Sequence, residues 1–128
     1  MKFFIVNTDY PRYIQELYSQ HSSLEHLSYE EQHKARMNAL FGTADFYSSN
    51  LKKLGHEAWD VIANIEPMQK KWAMEQGISS RSIFPRVRFR STAPWFYLEY
   101  KEWLYSILEA QIKAYQPDVI YSMAIETI

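Results

Sequence analysis

The sequence has no cysteine and only three glycines. Without cysteine, disulfides, thiolate metal ligands and cysteine nucleophiles are excluded. Long apolar runs are also lacking. The run at residues 3–6 is too short for the core of a signal peptide, and a membrane helix needs about 20 apolar residues. We therefore expect a cytoplasmic protein with no integral membrane segment.

The sequence also has no marked excess of charge of either sign. The chain has 14 Lys+Arg and 15 Asp+Glu, a formal net charge of -1. No overall basic field favours a nucleic acid partner, so none is predicted. Four arginines alternate with apolar residues between positions 81 and 90. This pattern could hold a phosphate or a nucleic acid backbone, but at this net charge a charge-protected edge strand is the favoured interpretation.

The size and composition fit a single globular domain. The chain has 128 residues, of which 47% are hydrophobic, enough for one core. Aromatic residues make up 16% of it, which favours thick packing or an interface. Residues 118–128 resemble a buried strand followed by an apolar segment, without a polar tail. We therefore expect residues 1–128 to be one partial domain, the front part of a longer protein.

Apolar runs and capping signals predict alternating strands and helices. Residues 3–6 form a continuous apolar run, as in a strand covered on both faces, and predict a strand at residues 2–7. Ser28 and Glu31 form a capping box, which begins a helix predicted to reach Leu54 with a bend or break near Gly42. The other predicted elements are strands at 56–63 and 119–122, helices at 12–27, 67–76 and 95–115, and an edge strand or loop at 78–94.

This order of elements predicts an α/β fold. We expect a three-layer, Rossmann-like architecture with a doubly wound, mainly parallel sheet of three or four strands. Crossovers between parallel strands are right-handed, and the most apolar strand belongs in the centre. The strand at residues 2–7 should therefore lie between those at 56–63 and 119–122.

Polar residues follow each predicted strand. Open α/β sheets bind ligands beyond the carboxyl ends of their strands, and there Asp9 could act as a base toward an acceptor hydroxyl. Residues such as Asn7, Thr8 and Asp9 can instead simply cap a turn or a helix start. The candidate substrate-binding residues at this edge are Asn7, Thr8, Tyr10, Asn64, Glu66, Ser122, Met123 and Glu126.

Neither a cofactor nor a metal ion is predicted. No Gly-x-Gly-x-x-Gly follows the first strand, so a dinucleotide loop is not expected. Three histidines between residues 21 and 33 lie near three glutamates, but their spacing matches no recognised ligand pattern. A solvated polar surface is the favoured interpretation of these residues.

Three segments carry a resemblance to a known family. They are KFFIVN at residues 2–7, LKKLGHEAWDV at 51–61 and YQPDVIY at 115–121. The chain resembles the N-terminal Rossmann-like domain of nucleotide-sugar glycosyltransferases of the two-domain GT-B architecture, in particular bacterial spore-maturation-type members. The resemblance implies that this domain binds the acceptor, while a C-terminal domain holds the nucleotide sugar. The diphosphate motif of that second domain corresponds to no residue here, so the chain alone should be inactive.

Two non-catalytic alternatives remain. A receiver-type signalling domain has a similar small sheet, but it needs an acidic pair after the first strand and an aspartate ending the third. Here Asp9 is alone, and Tyr121-Ser122-Met123 ends the last strand. The other alternative is an interaction module that docks through the aromatic helix predicted at 95–115.

Incompleteness of the domain also predicts self-association. The strand at 119–122 would be an unprotected edge, and exposed edges tend to find partners. One apolar stripe of the helix predicted at 95–115 would lose its cover as well. That stripe consists of Tyr97, Leu98, Tyr105, Leu108 and Ile112. We expect a homo-oligomer formed through this region.

Overall fold

The computed structural model of the chain describes residues 1–78 and 102–123. In chain order, the elements are β1 (Lys2–Asn7), α1 (Pro11–Gln20), a 3-10 turn (Leu24–His26), α2 (Tyr29–Asn38), α3 (Phe46–Lys53), β2 (Glu57–Ile62), α4 (Glu66–Glu75), α5 (Glu102–Tyr115) and β3 (Val119–Ser122). The predictions for residues 79–101 lie outside the described part of the chain. No described helix is both long and apolar enough to span a membrane.

The described strands form a parallel sheet in the order β2-β1-β3. In this register, Phe4 of β1 lies opposite Trp59 of β2 and Ile120 of β3. Phe4 and Ile5 are almost completely buried, because β1 has a neighbour on each side and helices above and below. The predicted α/β class, parallel pairing and central position of β1 are confirmed.

Helices cover both faces of this sheet. On one face, Trp59 contacts Trp72 of α4 and Tyr115 of α5, with ring centroids 6.2 and 5.4 Å apart. On the other face, Tyr121 of β3 contacts Tyr47 of α3 at 5.8 Å. Since alternate residues of a strand point to opposite faces, these contacts place α4 and α5 opposite α3. This is the doubly wound arrangement of a Rossmann-like fold.

The helix predicted at residues 28–54 is in fact two helices. The capping box forms as predicted, since Ser28 Oγ accepts from the Glu31 amide and the Glu31 side chain accepts from the Ser28 amide. The chain then breaks between α2 and α3, close to the predicted hinge. Leu40, Gly42 and Ala44 all have positive φ there, at 53°, 59° and 43°. Such left-handed residues cannot continue a right-handed helix.

The helix predicted at 12–27 is shorter than expected. It ends at Gln20, and a separate 3-10 turn follows at Leu24–His26. Buried Gln32 of α2 organises this junction. Its Nε2 donates to the Leu27 carbonyl at 2.9 Å, and its Oε1 accepts from Tyr18 Oη at 2.6 Å. The chain therefore turns at this point to meet α2 instead of extending α1.

Helix α2 covers the outer edge of β2. The backbone amides of Glu57 and Ala63 donate to carbonyls on the side of β1. Because the backbone groups of successive strand residues point to alternate sides, those of Asp60 point away from β1. The Asp60 carbonyl accepts from His33 Nε2 of α2 at 2.7 Å. Helix α4 holds the start of α2, because Glu75 Oε1 accepts from the Tyr29 amide at 3.0 Å. Helix α2 thereby occupies the Asp60 carbonyl, which a further strand at this edge would need.

The opposite edge, at β3, has no neighbouring strand among the described residues. Ile120 and Tyr121 are 53% and 48% exposed. The expected exposure of the α5 stripe is only partly correct. Tyr105 is exposed, whereas Leu108 and Ile112 are partly buried because they pack against the core, and Tyr97 and Leu98 lie outside the described residues. Self-association through the β3 edge stays a prediction.

We expect His33 to make stability depend on pH. Burial lowers the pKa of His33, and the bond to Asp60 opposes this with a smaller effect. The unfolded chain therefore takes up this proton at a higher pH than the folded chain, so stability should fall as pH drops below about 6.5. Urea unfolding from pH 8 to 5 should show a smaller loss for His33→Gln than for the wild type.

The exposed histidine variant His26→Gln is the control for this measurement. His26 is on the surface of the 3-10 turn, so its replacement should leave the pH dependence of the wild type in place. An unchanged pH dependence in His33→Gln would contradict the proposed contribution of the buried imidazole.

Candidate functional site

The carboxyl ends of β1 and β2 are joined by a pair of hydrogen bonds. The Asp9 amide donates to Asn64 Oδ1 at 2.9 Å, and Asn64 Nδ2 donates to the Asp9 carbonyl at 2.6 Å. Both residues follow their strands directly, where short loops lead into α1 and α4. The amide side chain of Asn64 thus completes the backbone pairing of Asp9 and fixes the two loops relative to each other.

A buried ion pair lies at the same place. Arg36 of α2 binds the Asp9 carboxylate with two parallel bonds, from Nε to Oδ2 at 2.5 Å and from Nη2 to Oδ1 at 2.7 Å. The side chains are only 1% and 2% exposed. This two-pronged geometry is the strong form of the arginine–carboxylate interaction, which combines charge with planar complementarity.

Two stacked aromatic rings lie beside the guanidinium. Tyr13 of α1 and Phe41 of the α2–α3 loop stack at 3.8 Å with an interplanar angle of 11°. The Arg36 guanidinium carbon lies 5.1 Å from the Tyr13 ring and 5.6 Å from the Phe41 ring. Burial alone would lower the pKa of Arg36, but its bonds and proximity to Asp9 give a net rise. Arg36 is therefore held in its charged form.

The ion pair bears directly on the predicted role of Asp9. Both carboxylate oxygens accept bonds from Arg36, and the side chain is buried. The role of Asp9 as a base toward an acceptor hydroxyl stays a prediction, whereas its role in joining α2 to the β1–α1 loop is visible in these contacts.

Most of the other predicted binding residues lie at this carboxyl edge. Asn7 Oδ1 accepts from the Thr8 amide at 2.9 Å, whereas no side chain of the described residues caps the start of α1. Tyr10 is 74% exposed. At the end of β3, Ser122 is partly buried. The Met123 amide donates a hydrogen bond to a backbone carbonyl of β1.

Two predicted residues are not part of this group. Glu66 begins α4, where its carboxylate accepts from Lys70 Nζ at 2.5 Å. It lines an open groove of about 430 Å³ between α4 and the 3-10 turn. The residues lining this groove are Glu25, His26, Glu66, Pro67, Lys70, Lys71 and Met74. Glu126 lies outside the described residues.

Arg36 is the site residue that sequence reasoning missed. It lies seven positions after Tyr29, and this spacing places both side chains on one face of α2. A buried Tyr29 could therefore have indicated a buried Arg36. Arginine is almost never fully buried without a partner. A buried Arg36 would therefore have predicted a carboxylate close to it.

Asp60 is a second buried acid that sequence reasoning missed. Burial raises the pKa of its carboxyl group, and a hydrogen bond from Ser48 of α3 opposes that rise. Its side chain lies beneath α3, within the middle of β2, and not at the carboxyl edge. We assign Asp60 to the contact between α3 and the sheet.

The described residues contain no cluster of three or more histidines or carboxylates that could hold a metal ion. Comparison with protein-family models, with curated proteins and with solved structures found no match. The chemistry of the carboxyl edge therefore has to be inferred from its own contacts.

We expect loss of Arg36 alone to cost far more stability than loss of the whole pair. Arg36→Met leaves a buried carboxylate without its partner, which costs about 3–5 kcal/mol, whereas replacing both charges by neutral groups is often nearly neutral. In urea unfolding, Arg36→Met should therefore be much less stable than the double variant Asp9→Asn/Arg36→Met.

The exposed pair of Arg12 and Glu16 is the matched control. Arg12 is 90% exposed, so Arg12→Met should cost about 0–1 kcal/mol. Equal losses from Arg12→Met and Arg36→Met would show that the buried pair does not contribute as described.

Proposed function

We propose that this chain is the acceptor-side domain of a nucleotide-sugar glycosyltransferase and that it binds the acceptor at the carboxyl edge of its sheet. In the order β2-β1-β3, the chain reverses its winding direction between β1 and β3. Doubly wound sheets bind ligands at such a point, and the loop after β1, which carries Asp9, forms one side of it. The three segments that resemble this family form β1, the junction from α3 to β2, and the junction from α5 to β3.

The observation that carries the proposal is the network of Asn64, Asp9 and Arg36. It holds the loops after β1 and β2 in one arrangement through bonds within the protein itself. Fixing these loops beforehand lowers the entropy that binding would otherwise cost. The residues beside the network, Asn7 and Thr8, are polar and uncharged, which suits the hydroxyls of a sugar or another alcohol better than an anion.

The receiver-type alternative fits this edge less well. Its phosphoacceptor chemistry needs free carboxylates beside the strand ends, but Asp9 is bound by Arg36. β3 ends at Ser122, not at an aspartate. No contact among the described residues favours the interaction-module alternative over acceptor binding. In the full-length protein, the partners would be an acceptor and a nucleotide sugar.

A nuclear magnetic resonance titration of the 128-residue chain tests acceptor binding. Neutral monosaccharides and disaccharides should shift the backbone amide signals of Thr8, Tyr10 and Asn64 at millimolar concentrations, as expected for a few hydrogen bonds on a preformed edge. Thr8→Val removes one hydroxyl at this edge and should weaken binding, whereas Ser19→Ala, near the end of α1, should leave it unchanged. Saturable shifts elsewhere, or none with any sugar, would overturn the proposal.

We further expect the chain alone to transfer no sugar. Transfer requires donor and acceptor to be held together in reactive geometry, and in the resembling family the donor site belongs to the second domain. An assay that incubates the chain with nucleotide sugars and acceptors should give no product. Turnover that Asp9→Ala abolishes would instead show that this chain is catalytic by itself.

A further inference from the structure

The Arg36 guanidinium has the geometry of an anion site. Its Nε and Nη2 point in parallel at two oxygens, which is how arginine binds carboxylates and phosphates in general. The stacked Tyr13 and Phe41 rings hold the guanidinium in place. The group that fills this site belongs to the chain itself, because it is the carboxylate of Asp9.

The backbone of Asp9 is fixed beside this site. Its amide and its carbonyl are both bonded to the Asn64 side chain, so the backbone is held on either side of the Cα atom. Its carboxylate is buried against Arg36. The positive charge is therefore cancelled in the folded chain, and a ligand phosphate would have to displace a tethered carboxylate.

Two cations near the carboxyl edge are also paired with carboxylates, although these pairs are more exposed than that of Arg36 and Asp9. Arg12 of α1 forms an ion pair with Glu16, and Lys70 of α4 forms one with Glu66. The side chains that directly follow β1 and β2, apart from Asp9, are neutral. This pattern of charges provides hydrogen bonds but little attraction for an anion.

We propose that Asp9 is a specificity-determining residue, which occupies the anion site of Arg36 and thereby restricts the carboxyl edge to uncharged, hydroxyl-bearing ligands. Phosphate-bearing ligands are excluded because the guanidinium that would bind them is already occupied. The class of permitted ligand rests on the proposed function, whereas the exclusion of anions rests on the geometry of the pair alone.

Removal of the Asp9 carboxylate should create an anion site. In Asp9→Ala, formate can replace the missing carboxylate, and inorganic phosphate can approach the freed guanidinium. We expect both anions to raise the melting temperature of this variant in a saturable way and to shift the amide signals of Tyr10 and Asn64. Their affinity should exceed that for the wild type by about tenfold or more. Sodium chloride at equal ionic strength corrects for general salt effects.

Two controls isolate the role of Arg36. The double variant Asp9→Ala/Arg36→Met lacks the guanidinium and should lose the response to formate and phosphate. Glu16→Ala frees exposed Arg12 instead, so it should gain no saturable anion binding. If Asp9→Ala does not fold in chloride, folding induced by formate supports the proposal, and Asp9→Asn serves as the folded variant for the phosphate titration.

Three results would overturn the proposal. The first is a wild-type chain that binds phosphate as tightly as Asp9→Ala. The second is a response to anions that persists in the double variant. The third is the absence of anion binding in both Asp9→Ala and Asp9→Asn. None of these measurements uses a sugar, so failure of this inference and failure of acceptor binding are distinguishable.

Discussion

The buried pair of Arg36 and Asp9 is the interaction on which the carboxyl edge of this protein depends. Removing two charges from water is costly, and only good geometry with further hydrogen bonds compensates for it. The two parallel bonds supply that geometry, and Asn64 completes the backbone hydrogen bonding of Asp9. Because Arg36 belongs to α2, the pair also connects the edge of the molecule beside β2 to the loop after β1.

Polar contacts fix the packing of the helices elsewhere in the molecule as well. Gln69 of α4 and Gln111 of α5 are fully buried and exchange two amide hydrogen bonds at 2.9 Å. Apolar contacts alone would tolerate a shift of one helix along the other, whereas a buried amide that lost its partner would be costly. The Gln69–Gln111 contact therefore sets the register of α5 over the face of the sheet that carries Phe4.

Local patterns were sufficient to predict the sheet and one helix start. The continuous apolar run of β1 indicated a strand covered on both faces, and the handedness of crossovers then fixed the order of the strands. The capping box of Ser28 and Glu31 depends only on residues three apart, so it too was visible in the sequence. Each of these features follows from short-range chemistry or from a general rule of topology.

The features that were missed depend on distant partners. Asp9 and Arg36 are 27 residues apart, and no local pattern pairs them. The break between α2 and α3 was predicted at Gly42, but left-handed conformations also occur at Leu40 and Ala44, where residue type gives no signal. The end of α1 likewise depends on Gln32. The side chain of this residue donates to the Leu27 carbonyl, just after the 3-10 turn.

The candidate site shows how a correct topology can still leave the chemistry open. The rule for parallel sheets placed Asp9 at the carboxyl edge, and a carboxylate there could either accept a proton or hold the structure together. Arg36 makes the second role the visible one, because it binds both oxygens of the buried carboxylate. An edge built in this way is stable, preformed and nearly neutral. Such properties suit the recognition of an uncharged acceptor, while a domain that binds nucleotide diphosphate needs free cationic or amide groups for its phosphates.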